Sequence, residues 1–261
     1  MATSTFAVTD AQRRQYQVFG YVVFEQLFTP EEVEDYGQAL ERALRHLRGG
    51  AVFDGVKRQE VAPIIEQDPD VFYPLLDDER LLGIVDGLLG EDSLYTGGND
   101  GNLYVGNTAW HPDGGGLFPY DKVKTAFYCD PVSEGRGCLS VIPGSHHLDF
   151  CRALTDAFNQ GIYDRNSPDI PGRIPLASKP GDVVAFHHGL WHSSWGGSNH
   201  RRMFTFNWVA YPKLAWQETW LKGHVRAIDQ RYGNPMITDR LMETAGPRRK
   251  QKIVKVYELA R

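Results

Sequence analysis

The sequence predicts a mainly β sandwich or barrel with helices flanking it. Six short β-rich runs follow one another at residues 103–105, 123–129, 138–142, 173–176, 182–186 and 203–211. Glycine- and proline-rich turns separate them, among them Gly114-Gly115-Gly116, Gly135-Arg136-Gly137 and Pro180-Gly181-Asp182. Many short strands joined by such turns mark sandwiches and barrels. High glycine (27 residues) together with 12% aromatics agrees with packed strands and tight turns, not with a helical bundle.

The flanking elements follow in order. Tyr21-Val22-Val23-Phe24 is a short β-rich run. Thr29-Pro30-Glu31-Glu32 starts a helix: threonine caps, proline takes the first helical position, and glutamate stands three residues after the cap. Val33, Tyr36, Leu40, Leu44 and Leu47 then give one apolar face to about residue 48. A second amphipathic helix covers 79–89 and stops at Gly90. After Pro212 the pattern is helical again, with Trp216 and Trp220 on one face. The expected organisation is one unit, 1–261, with a helical part to about 92, a barrel over about 93–211, and a C-terminal helix and tail from 212. The tail carries Arg248, Arg249, Lys250, Lys252 and Lys255. It reads as a solvated basic end, or more sharply as a rim that attracts an anionic substrate.

Composition narrows the function. With 261 residues, 41% of them apolar, the chain is long enough to bury a core without disulfides or a structural metal. A net charge of −5 argues against binding nucleic acid through phosphates. Three cysteines suit reduced thiols in a cytoplasm-like compartment better than a disulfide framework. Residues 1–14 are polar and lack a signal-peptide core, and the longest apolar stretch, 81–89, is short and contains Asp86. The expectation is a soluble cytoplasmic protein acting on a small molecule, with no membrane or nucleic-acid partner.

No serine-hydrolase elbow, phosphate loop, dinucleotide fingerprint or His-Glu-x-x-His zinc motif is present. The histidines carry the remaining signal. His111-Pro112-Asp113 sets an imidazole and a carboxylate two apart, on one face of an extended segment. Chance alone yields roughly 0.7 such pairs in this composition. His192 lies just beyond the buried run 182–186. The β-branched run and the glycines around it argue against a helical His188/His192 zinc pair. Across a barrel His192 reaches the first pair, and two histidines with one carboxylate on one face of a metal form the facial triad of Fe(II) oxygenases. Arg201 and Arg202 open the next β run. One of them points into the barrel, where a buried guanidinium needs an anion such as the distal carboxylate of 2-oxoglutarate.

From about residue 19 to 211 the chain resembles the phytanoyl-CoA dioxygenase family of Fe(II)/2-oxoglutarate oxygenases. Trp110-His111-Pro112-Asp113 is similar to its Trp-His-x-Asp. Gly137-Cys138-Leu139-Ser140-Val141-Ile142-Pro143-Gly144-Ser145-His146 is similar to its Pro-Gly-Ser-His strand and turn, and Pro180-Gly181-Asp182 through His192 to its second ligand region. The resemblance implies a double-stranded β-helix, a cupin-like jelly-roll barrel. It implies Fe(II) on His111, Asp113 and His192, with 2-oxoglutarate on Arg201 and Ser194 and with Arg202 as the competing arginine. O2 then takes the last iron position. The implied reaction is hydroxylation of a C–H bond, with release of succinate and CO2. Family substrates include acyl thioesters, osmolytes and natural-product intermediates. The family's His-Gly-Ser is His192-Ser193-Ser194 here, and Asp113 argues against the halogenase variant. His146, His147, His187 and His188 read as supporting or structural. Asn102, Tyr104, Phe118 and Tyr120 are candidate substrate contacts, the last two following a Gly-rich segment that is either a surface loop or a lid. Two other classes stay open: a cupin-type metal enzyme without 2-oxoglutarate, and a non-catalytic binding barrel.

Overall fold

A computed structural model describes residues 6–98, 100–116, 120–197 and 200–261. Reciprocal caps start the first helices. Thr9 and Gln12 exchange side-chain and backbone hydrogen bonds to open α1, Asp10–Phe19. After strand β1, Tyr21–Phe24, Thr29 and Glu32 do the same for α2, Pro30–Leu47. Strand β2 (Gln59–Val61) and helices α3 (Pro69–Leu76) and α4 (Glu79–Leu89) complete the N-terminal part. The strands that follow are β3 (Leu94–Tyr95), β4 (Gly101–Tyr104), β5 (Thr108–His111), β6 (Lys122–Tyr128) and β7 (Leu139–Val141). Helix α5 (Leu148–Asn159) precedes β8 (Ile174–Leu176), β9 (Val183–His187), β10 (His192–Ser194) and β11 (Arg201–Val209). Helices α6 (Ala215–Tyr232), α7 (Asp239–Glu243) and α8 (Pro247–Ala260) close the chain.

The strands form two antiparallel sheets. The larger runs β1-β9-β6-β11-β4-β2, with β3 also on β11; the smaller runs β5-β10-β7-β8. Alternate residues of each strand point to opposite faces. Ala126, Tyr128, Val184, Phe186 and Met203 therefore point inward and meet Leu139, Val141 and Leu176 of the smaller sheet. Phe127, Val183, Phe204, Phe206 and Trp208 point outward, against the N- and C-terminal helices. Each such side chain contributes roughly 1.5–3 kcal/mol by burial. Helix α5 covers the smaller sheet, placing Leu154 and Phe158 against Trp110 and Trp191. The architecture is the jelly-roll barrel that the resemblance implies.

The strands expected from β-rich runs, β1, β4, β6, β7, β8, β9 and β11, sit within two residues of their expected bounds, while β2, β3, β5 and β10 are not among those runs. The tail differs from both of its readings. Its residues form α8, which lies on the larger core through Ile253, Val256 and Leu259. Lys252 is buried and its ammonium pairs with Asp86 of α4, which also holds Arg248 at 2.7 Å. Arg249 is buried over the Tyr73 ring. Lys252 and Arg249 dock the helix, while Lys250 stays exposed to solvent, and none of the tail cations lines the cavity at His111, Asp113 and His192. Cys129, Cys138 and Cys151 are buried free thiols. Among the described residues no helix is long and apolar enough to cross a membrane.

Removing one partner of a buried ion pair strands the other. Asp86→Ala is expected to cost about 3–5 kcal/mol in denaturant unfolding. Adding Lys252→Met is expected to recover most of that loss, and a double variant no better than the single one would show that the pair does not dock α8.

Candidate metal centre and cosubstrate site

Pairing of β5 with β10 sets His111 directly opposite His192, with ring centroids 4.3 Å apart. Each imidazole is held by a carbonyl two residues back on its own strand: His111 Nδ1 by Ala109 O and His192 Nδ1 by Leu190 O, both at 2.8 Å. A carbonyl only accepts, so both rings carry a proton on Nδ1, and Nε2 is the nitrogen left for a metal. Pro112 is extended (φ −92°, ψ 149°), which returns Asp113 to the side of His111. The Asp113 amide donates to His188 O at 3.0 Å and fixes the turn. One ligand atom from each of His111, Asp113 and His192 lies within 4.8 Å of the others. Burial pushes His192 down to about 3, with His111 adding to the effect, so its ring is neutral at physiological pH. Burial acts to raise the Asp113 carboxyl, but the Lys124 ammonium beside it outweighs burial, and Asp113 lies well below the usual carboxylate range. Two imidazoles and one carboxylate on one side of a point suit Fe(II).

The same cavity ends at Arg201, 2% exposed. Its Nη2 donates to Gly106 O at 3.3 Å, while Nε and Nη1 are buried with no hydrogen-bond partner among the described residues. Glycines make room for it. A Cβ on Gly137, itself at φ 83°, would lie 2.2 Å from Arg201 Nη1, and one on Gly197 would lie 1.2 Å away. A buried guanidinium with two open donors at the end of a metal-facing cavity is complementary to a carboxylate.

The profile of the family described as phytanoyl-CoA dioxygenase matches residues 16–204. The chain belongs to the phytanoyl-CoA dioxygenase family. An ectoine dioxygenase of Streptomyces coelicolor is 27% identical over 182 residues, which is 62% of this chain and 60% of that relative. The chain thus spans less than two thirds of that protein. HygX from Streptomyces hygroscopicus, solved with nickel and 2-oxoglutarate, shares the fold at a TM-score of 0.60 and 22% identity, over 78% of this chain and 88% of its own. The carbocyclase SnoK from nogalamycin biosynthesis does so at 0.59 and 21%, over 78% and 84%.

In this member of the phytanoyl-CoA dioxygenase family, strand parity separates the two arginines. Arg201 shares the inward face of β11 with Met203 and Thr205, and all three line the cavity. Arg202 shares the outward face with Phe204 and Phe206, and pairs with Asp130 at 2.9 Å and Glu34 of α2 at 3.1 Å. Its charge is met there, so Arg202 does not serve the cavity. Ser194 lines the cavity, and its hydroxyl donates to Gly137 O at 2.9 Å.

Of the proposed substrate contacts among the described residues, only Tyr104 lines the cavity. It lies beneath Arg201 (5.4 Å) and Arg58 (4.1 Å). Asn102 is buried behind it and accepts from Arg58 Nη2 at 2.7 Å, so it reaches the cavity only through that arginine. Tyr120 turns away to meet Trp216 and Trp220 of α6 edge-on. Phe118 lies outside the described residues.

The supporting histidines divide by position. His146 and His147 bond Gln17 O and Val18 O and tie the Pro-Gly-Ser-His turn to α1, while Ser145 Oγ accepts from the Trp191 amide next to His192. His187 packs against Tyr16 and His146. His188 stands at the site: its Nδ1 is 3.9 Å from Asp113 Oδ2, and its Nε2 meets Asn207 Oδ1 at 2.6 Å. Asn207 gives both amide hydrogens to Gly97 O and Gly98 O, so its Oδ1 accepts from His188.

Sequence reasoning missed Asn207, Arg58 and above all Lys124. The Lys124 ammonium is 2.5 Å from Asp113 Oδ2. Two lysines spaced by two at the start of a buried β run, Lys122 and Lys124, were the available signal.

Gly137→Ala is expected to displace the Arg201 guanidinium. Calorimetry with Ni(II)-loaded protein should read at least about tenfold weaker 2-oxoglutarate binding, with metal affinity unchanged. Unchanged cosubstrate affinity would mean that Arg201 has room to move.

Proposed function

We propose that the protein is an Fe(II)/2-oxoglutarate-dependent oxygenase that oxidises, most simply hydroxylates, a C–H bond of a small molecule. The observation that carries this reading is one cavity that joins the His111/Asp113/His192 cluster to the open donors of Arg201. Family membership supports it, and a cupin-type enzyme without 2-oxoglutarate has no use for a buried arginine at that end.

When bound, iron with O2 and 2-oxoglutarate supplies the oxidising power, and succinate and CO2 leave. The chain does the rest. His111 and His192 would hold the metal through Nε2, and Asp113 through its carboxylate, leaving the opposite side of the metal open. The carbonyls of Ala109 and Leu190 keep both rings in the ligating tautomer. Arg201 would take the distal carboxylate of 2-oxoglutarate, and Ser194 would redirect its hydroxyl hydrogen from Gly137 O to the same carboxylate. Tyr128, Leu139, Phe186 and Met203 wall the cavity with carbon and limit access of water. Lys124 neutralises the second oxygen of Asp113.

Under argon, Fe(II) and 2-oxoglutarate are expected to give the weak visible charge-transfer band of a chelated keto acid. Asp113→Ala and His192→Ala should abolish it. Arg201→Met should keep iron binding but require roughly 10- to 100-fold more 2-oxoglutarate, the loss expected for hydrogen bonds to a charged group. Iron binding without a band would transfer the assignment to the cupin-type reading, and a protein that binds no metal would overturn the site.

A further inference from the structure

A second chamber, of about 340 Å³, opens on the other side of Asp113. It shares Asp113 and Lys124 with the cavity that leads to Arg201, so both adjoin the His111/Asp113/His192 cluster. One wall is the barrel, through Lys122, His188 and Asn207. The other is one stripe of α6, in which Trp220, His224, Ile228 and Tyr232 recur every fourth residue, with Arg231 beside them. This helix lies beyond residue 204, where the family match ends.

The chamber has a definite chemistry. Lys122, Lys124 and Arg231 bring three basic side chains, the Lys122 ammonium being lowered by burial to about 7, while Asp113 is the one carboxylate among the described lining residues. Lys122 is buried, with its ammonium 2.5 Å from His224 Nε2. Burial holds His224 down at about 3, with Lys122 adding to the effect, so the imidazole is neutral and accepts from the lysine. The remaining walls, Trp220, Ile228 and Tyr232, are carbon surface. Volume and lining match a ligand pocket with a few placed polar groups.

We propose that this chamber binds the organic substrate, and that the substrate is a small molecule carrying an oxyanion group on an apolar, ring-sized body. The anion lies toward Lys122 and Arg231, and the carbon body lies along α6 with its far edge at the metal centre. The inference rests on the oxygenase reading and deepens it. A chamber lined mainly by basic groups draws in an anionic ligand in preference to neutral analogues.

The test uses Fe(II)- and 2-oxoglutarate-loaded protein under argon, so that no turnover occurs and Arg201 is already engaged. The probes are 2-naphthoate, 2-naphthyl phosphate and the neutral 2-naphthamide, followed by equilibrium dialysis. At least one anion should bind about tenfold or more tightly than the amide. Lys122→Met and Arg231→Ala should each shrink that preference while the charge-transfer band persists. Which anion wins separates carboxylate from phosphate substrates. Arg231→Ala, on an exposed residue, carries the test if Lys122→Met does not fold. Equal binding of amide and anions, no binding of any probe, or an anion preference intact in both variants overturns the proposal. Loss of the charge-transfer band in the wild-type protein would instead overturn the oxygenase reading beneath it.

Discussion

Two strands must meet edge to edge before the two histidines can face one ion. The pairing of β5 with β10 does this, because His111 and His192 are cross-strand partners in an antiparallel ladder. Neighbouring strands stand about 5 Å apart, so their rings reach a common point without long or flexible side chains. The carbonyls of Ala109 and Leu190 then select the nitrogen that each ring offers. Asp113 joins through one extended proline, and the anchor of its turn, His188 O, lies at the end of β9. The smaller sheet thus brings the two histidines together, while the larger one supplies what surrounds them.

The larger sheet works through parity. On β11 one step along the chain separates Arg201, inside the barrel, from Arg202, outside in an ion pair with Asp130. On β6 the same rule aligns Lys122, Lys124 and Tyr128 on the interior face. A slip of one residue in either strand would exchange all of these at once. The register of β6 on β11, which holds over seven consecutive pairs from Met203↔Tyr128 to Val209↔Lys122, is therefore what keeps cations inside and aromatics outside.

Much of this was legible in the sequence. The barrel strands announced themselves by β-rich runs and turns, and the ligand cluster by the chemistry of His111, Asp113 and His192. The choice of Arg201 over Arg202 was also readable, since Phe204, Phe206 and Trp208 alternate in phase with Arg202. Other parts depended on partners remote in the chain. The tail cations gave no sign that Asp86, some 160 residues earlier, would bury Lys252. Lys124 resembled any strand lysine until the fold placed Asp113 against it. Tyr120 followed the metal motif closely, yet the tryptophans of α6 drew it away from the cavity. Side chains whose role depends on a distant neighbour carry no local pattern.

The last helix ties these levels together mechanically. Lys252 fastens α8 to α4, and Lys255 reaches Glu218 of α6 at 2.8 Å. The inner wall of the second chamber is thus braced from behind by α8 and not by the barrel ladder. Segments secured by a few ion pairs and one apolar stripe open at lower free energy than a paired sheet. On heating, the C-terminal helices are expected to loosen first, while the strands bearing His111 and His192 stay paired. The chamber would then lose its shape before the histidine and carboxylate cluster loses its geometry.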